Sequence, residues 1–135
     1  MKEVRMDNKR TFKLERIKKG KPVFITVCSQ CASTAKIELL DANNNIFQAI
    51  ETEGGCRLKC AGAITIEHCP CDAPSVSIFI NNGAVMKVQR NPQIIIGHKG
   101  EEKGVNYTFH IEDKADGDSD YNDYYINIVS WDHEG

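Results

Sequence analysis

Between Ile111 and Tyr124 the chain reads Glu112-Asp-Lys-Ala-Asp-Gly-Asp-Ser-Asp-Tyr-Asn-Asp123, which places six carboxylates within twelve residues. Carboxylates crowded this closely either raise one another's pKa or recruit a counter-ion. A hard divalent cation that accepts many oxygen ligands is the usual resolution, and calcium fits best. Magnesium keeps its waters and seldom collects so many protein carboxylates, while zinc prefers nitrogen and sulfur. The plain alternative is a solvated acidic turn without an ion. The alternation of Asp116, Asp118 and Asp120 argues against it, because an indiscriminate acidic run has no such spacing.

These three residues match the first ligand positions of an EF-hand, and the match ends there. Tyr121 stands where that loop needs glycine, Asn127 stands at the final Glu position, and the flanking segments alternate like strands. The expectation is therefore a calcium loop between strands. Paired carboxylates also invite a glycosidase reading. One loop, however, does not set two acids on opposite sides of a scissile bond, so no enzymatic turnover is expected.

The stretch Asp118-Ser-Asp-Tyr-Asn-Asp123, the apolar strand after it, Trp131 and the terminal Gly135 resemble the calcium-mediated fucose- and mannose-binding lectins of bacteria. The resemblance is local. It implies one or two calcium ions held by Asp118, Asp120, Asn122 and Asp123, with Glu112 from upstream and the Gly135 carboxylate donated across a homodimer or higher oligomer. The loop runs about two residues longer before Asp118 than the family pattern, which adds Asp113 and Asp116 as substitutes for Glu112. About two extra residues also precede Gly135. Sugar hydroxyls would ligate the calcium beside Asp118, Asp120, Asn122 and Asp123. Where the family supplies an Asn ligand and a specificity loop, this chain reads Cys28-Ser-Gln-Cys-Ala32, so Ser29 and Gln30 take the sugar-side positions and the family's specificity does not carry over.

Six cysteines form three close pairs, Cys28 with Cys31, Cys56 with Cys60 and Cys69 with Cys71. They are candidates for disulfides, with 15 connectivities open, or for a zinc site built from two pairs. Only the first pair has the usual knuckle spacing, which favours disulfides over zinc. Some, such as Cys28, also suit packing as small apolar residues. No βαβ context surrounds Cys28-x-x-Cys31 to suggest a thioredoxin-like site. His98, His110 and His133 stand at no ligand spacing and read as surface or edge residues, and Trp131 as a core or interface anchor.

The elements that must position these residues are strands. Apolar residues recur at every second position in Val23, Ile25 and Val27; in Ile64 and Ile66; in Val76, Ile78 and Ile80; in Ala84, Met86 and Val88; in Val105, Tyr107, Phe109 and Ile111; and in Tyr124, Ile126 and Ile128. No window carries a capped helical stripe. Polar turns punctuate the runs at Asp41 to Asn45, at Gly54-Gly55 and at Asn82-Gly83, and the last predicts a type I′ hairpin. The fold expected is all-β, an antiparallel Greek-key-like sandwich of about nine strands.

The 135 residues suit one domain, 1–135, with a core of ordinary size. The net charge of −2 conceals opposed ends. Residues 1–22 carry nine Lys or Arg against three acids, whereas 101–135 carry ten acids against two lysines. Residues 1–10 read as a basic, partly ordered arm. No aromatic residues interleave with these lysines, so a nucleic-acid partner is not expected. No apolar run is long enough to span a bilayer, and charged residues follow Met1 where a signal peptide would be apolar. A soluble chain is expected, and the cysteines leave export open.

The sequence thus points first to a calcium-dependent carbohydrate-binding protein that acts by binding. A calcium-stabilised structural, adhesive or toxin-component sandwich for a protein partner is the second reading. A cysteine-based zinc or redox protein is the third.

Overall fold

The computed structural model describes residues 8–113 and 123–133, together with the backbone of 4–6. Ten strands run in chain order: β1 Val4–Met6, β2 Lys9–Lys13, β3 Val23–Ser29, β4 Ala35–Leu40, β5 Ile46–Glu51, β6 Lys59–Ile66, β7 Ser75–Ile80, β8 Lys87–Ile96, β9 Glu102–Glu112 and β10 Tyr124–Trp131. They form two five-stranded antiparallel sheets, ordered β1-β2-β7-β4-β5 and β6-β3-β10-β9-β8. The chain changes sheets repeatedly, so β7 lies between β2 and β4, and β3 lies between β6 and β10, as in a Greek-key sandwich. No helix among the described residues is long and apolar enough to cross a membrane.

The alternation that predicts the strands also fills the core. Val23, Ile25 and Val27 are buried while Phe24, Thr26 and Cys28 lie on the outer face. Val105, Tyr107, Phe109 and Ile111 from β9 meet Tyr124, Ile126 and Ile128 from β10 in the same interior. Phe12 from the first sheet packs on Phe109 from the second, with ring centroids 5.3 Å apart and planes at 50°. Each such buried side chain contributes about 1.5–3 kcal/mol. Within the stretch expected as a basic arm, β1 pairs with β2, Val4 opposite Thr11.

The Asn82-Gly83 hairpin does not form. β7 pairs with β2 and β4 in one sheet, whereas the following strand pairs with β9 in the other. Gly83 has φ 68°, but the non-glycine residues at positive φ are Asn44 and Ala73, so the two consecutive left-handed residues of a type I′ turn are missing at 82–83. The segment is a crossover between sheets, and Ala84 and Met86 precede β8 instead of belonging to it. A tight hairpin does join β4 and β5 at Asp41 to Asn45. There Asp41 Oδ1 accepts the N–H groups of Asn43 and Asn45, both at 2.9 Å.

β8 is an edge strand that pairs with β9 alone, with Pro92 opposite Tyr107. β6 is the other edge of that sheet. Its pairing with β3 shifts register between Val27 and Cys28, so Val27 faces Gly62 while Cys28 faces Cys60, and Ala61 is the extra residue of a β-bulge.

Candidate functional site

The acidic segment hangs between neighbouring strands, because Ile111 in β9 lies directly opposite Tyr124 in β10. Its two described ends are therefore held together. The Asp123 N–H donates to the Ile111 carbonyl at 3.1 Å, and the Asp113 N–H donates to Asp123 Oδ2 at 2.9 Å. Glu112 is buried, 1% exposed, and its side chain hydrogen-bonds to Asp123. Burial holds the Asp123 carboxyl above its ordinary value. The Asp113 N–H and the bond to Glu112 work against that rise, and the nearby Asp113 carboxylate adds to it.

Two further elements converge on these ends. The Gln30 N–H, just past β3, donates to the Asp123 carbonyl at 3.0 Å, which extends the ladder between β3 and β10 by one residue. Asn82, on the crossover before β8, donates its side-chain amide to the Asp113 carbonyl at 2.9 Å and accepts the Ala84 N–H at 3.0 Å. Nothing in the sequence pattern identified Asn82 as part of the site, because it reads locally as a turn residue. The Cys31 thiol donates to Asp113 Oδ2 at 3.3 Å, and burial pushes that thiol's pKa up. The Tyr124 hydroxyl bonds the Ser33 carbonyl, and its pKa is raised first by burial and then by its hydrogen bond to Cys31.

Of the residues implied as calcium ligands, Glu112 and Asp123 are brought together. Asp116, Asp118, Asp120, Asn122 and Gly135 lie outside the described residues. Of the sugar-side positions, Ser29 is fully buried opposite Tyr124, and its Oγ has no hydrogen-bond partner among the described residues. Gln30 follows at the rim. In the other sheet, around the ends of β4, β5 and β7, Thr34, Lys36, Glu51, Thr52, Phe79 and Asn81 help to line a cleft of about 270 Å³. Trp131 is 42% exposed at the far end of β10, so it is not a core anchor. Trp131 lies seven residue steps from Tyr124, about 23 Å along the strand, and cannot stack on a ligand at the acidic end.

All six cysteines are free thiols, and among the described residues no three His, Cys, Asp or Glu side chains group as a metal site would require. Cys69 donates to the Cys71 carbonyl at 3.2 Å, and His68 Nδ1 lies 3.3 Å from the Gly20 carbonyl. His110 lies on the outer face with its ring 4.9 Å from that of Tyr125.

Glu112, Asp113 and Asp123 bring to one end the carboxyl oxygens that a hard cation prefers, but the described residues alone do not complete a metal site.

No protein-family model matches the chain, and no curated relative does. Several solved structures resemble it. The C-terminal domain of the BC2L-C lectin from Burkholderia cenocepacia superposes with a TM-score of 0.64 at 16% identity, over 95% of this chain and 97% of that one. The high-affinity mannose-binding lectin of Ralstonia solanacearum gives 0.65 at 18% identity, over 84% and 91%. The Chromobacterium violaceum lectin CV2L, solved with α-methyl-fucoside, gives 0.61 at 15% identity, over 93% and 96%. At these identities the likeness shows a shared fold: the chain has the β-sandwich architecture of these bacterial lectins.

Proposed function

We propose that this chain is a carbohydrate-binding protein whose site is built on calcium at the acidic end of the sandwich. The observation that carries the reading is the Glu112–Asp123 contact, a buried carboxyl hydrogen-bonded to a second one that burial already disfavours as an anion. A cation ligated there lets both ionise. Glu112 and Asp123 would hold it together with Asp116, Asp118, Asp120 and Asn122, with Gly135 of a partner copy as a further ligand. When bound, calcium supplies open oxygen positions that vicinal sugar hydroxyls can take in place of water. Gln30 then forms the rim on the β3 side with a longer polar side chain, while Ser29, the other sugar-side candidate, is buried beneath it.

The named ligands of the structural neighbours, mannose in one and a methyl fucoside in another, support fucose- or mannose-like sugars as the class to test. A glycan array of fucose- and mannose-terminated structures, read with calcium and again with chelator, tests ion and sugar together. Binding that appears with calcium and vanishes with chelator is expected. Unchanged thermal unfolding on chelation would remove the calcium reading, because a ligand bound only to the folded state must stabilise it.

One observation favours a second reading. The loop's ends are tied to two separate segments, one carrying Gln30 and Cys31 and the other Asn82, so an ion there would also brace the sandwich end for a protein partner. Calcium stabilisation without any glycan binding would select this reading over the lectin.

A further inference from the structure

We infer that Cys28 and Cys60 are a disulfide-forming pair that fastens the edge strand β6 to β3. They are directly opposed in the antiparallel register. Opposed residues of an antiparallel pair have Cα atoms about 4.5–5.5 Å apart, within the span of about 4.4–6.8 Å that a disulfide bridges. Opposed side chains also project from the same face. Here that face is the outer one, because Cys28 follows the outward Phe24 and Thr26, and Cys60 is exposed like Ala63 and Thr65 on its own strand.

The bulge creates this arrangement. Strict alternation from Thr65 and Ala63 would turn Ala61 outward and Cys60 inward. One extra residue at Ala61 shifts the count, so that Ala61 packs against the core and Cys60 takes the outward place opposite Cys28. The neighbouring Gly62 packs closely against the core, since a Cβ there would lie 2.8 Å from Ile50 Cγ2. Among the described strand pairings no other two cysteines are opposed. Cys31 is buried and bonded to Asp113, and Cys69 is buried and bonded to the Cys71 carbonyl.

The chemistry needs an oxidant, and a small-molecule disulfide such as oxidised glutathione supplies it. The exposed Cys60 thiolate attacks one glutathione sulfur, which forms a mixed disulfide and releases one glutathione thiolate. The Cys28 thiolate then attacks Cys60 Sγ and releases the second. The two cysteine protons pass to the two glutathione thiolates, so the protein loses two electrons and two protons while glutathione gains them. The bond would close a loop of about 33 residues and lock β3 immediately before Ser29 and Gln30.

This assignment stands independently of the calcium reading. The full chain, incubated with oxidised glutathione and digested without reductant, should yield one peptide linking Cys28 to Cys60. The melting temperature should rise by about 5–15 °C and return on reduction. Cys28→Ser should leave Cys60 carrying glutathione and abolish the rise. Should that variant fail to fold, Cys60→Ser, on the exposed edge, must abolish it equally. Linkage of Cys60 to Cys56, or glutathione on Cys60 with no link to Cys28 in the unaltered chain, overturns the assignment.

Discussion

The two ends of the sandwich treat acidic side chains in different ways. At the end where β9 begins and β10 finishes, two acids meet bases. Arg16 bonds Glu102 at 2.9 Å and Lys18 bonds Asp132 at 3.3 Å, all with side chains reaching solvent. At the opposite end Asp113 and Asp123 are partnered by a backbone N–H, by the Cys31 thiol and by carboxyls, while Glu112 is buried beneath them. The first arrangement is complete and contributes little, as exposed ion pairs do. The second concentrates like charge where burial penalises it, which costs stability unless something ligates the carboxylates. Acidic residues thus mark a site only where the fold removes both their water and their counter-charge.

The strongest way to break this contrast is to loosen the joint between the sheets on which both ends depend. Phe109→Ala, at a fully buried position against Phe12, is expected to cost about 3–5 kcal/mol in urea unfolding. Any calcium response should weaken with it, and an undiminished response would show that the acidic end folds autonomously. Next in size is the ion itself. Calcium at about a hundred times its dissociation constant should add about 2.7 kcal/mol of stability, read as a rise in melting temperature. Glu112→Gln and Asp123→Asn should lose that rise, whereas Glu102→Gln at the other end should keep it. A rise retained by both loop-end variants would place the ion elsewhere.

Asn82→Ala should cost about 1 kcal/mol by removing the amide from the Asp113 carbonyl. Isothermal titration should then show calcium affinity weakened by about fivefold, since about 1.4 kcal/mol corresponds to a factor of ten. The smallest effect belongs to the paired end. Arg16→Met should change stability by about 0.2–1 kcal/mol in dilute buffer and by less in concentrated salt. A larger loss that persists in salt would mean that this end, too, carries buried charge.

Period-two alternation made β3, β7, β9 and β10 legible, since each buries one face throughout. β2 was hidden by its charges, for Lys9, Arg10 and Lys13 surround the single large apolar residue Phe12. The Asn82-Gly83 error has a physical cause. A turn pair reports local backbone preference, whereas the choice between a hairpin and a crossover is made by which strands bury β7, namely β2 and β4. At the site, the composition of residues 112–123 was plain, and so was the pairing of the strands that present Glu112 and Asp123. The contributions of Asn82 and Cys31 were not, because they depend on contacts 31 and 82 residues distant in sequence. The Cys28–Cys60 register was equally hidden, since one bulge residue decides it.

Pro92 in β8 bears on how these molecules behave in a crowd. A strand paired on one side presents its other side as a template on which a second chain can zip, and β8 adds the exposed Ile94 and Ile96 to the invitation. Proline has no N–H to donate, and within sheets it occupies edges with that blank position turned outward. The blank falls in mid-strand, so an incoming chain meets a gap where continuous pairing would have to pass. The imino acid thereby lets a long, partly greasy border stay open to solvent while resisting the growth of fibrils.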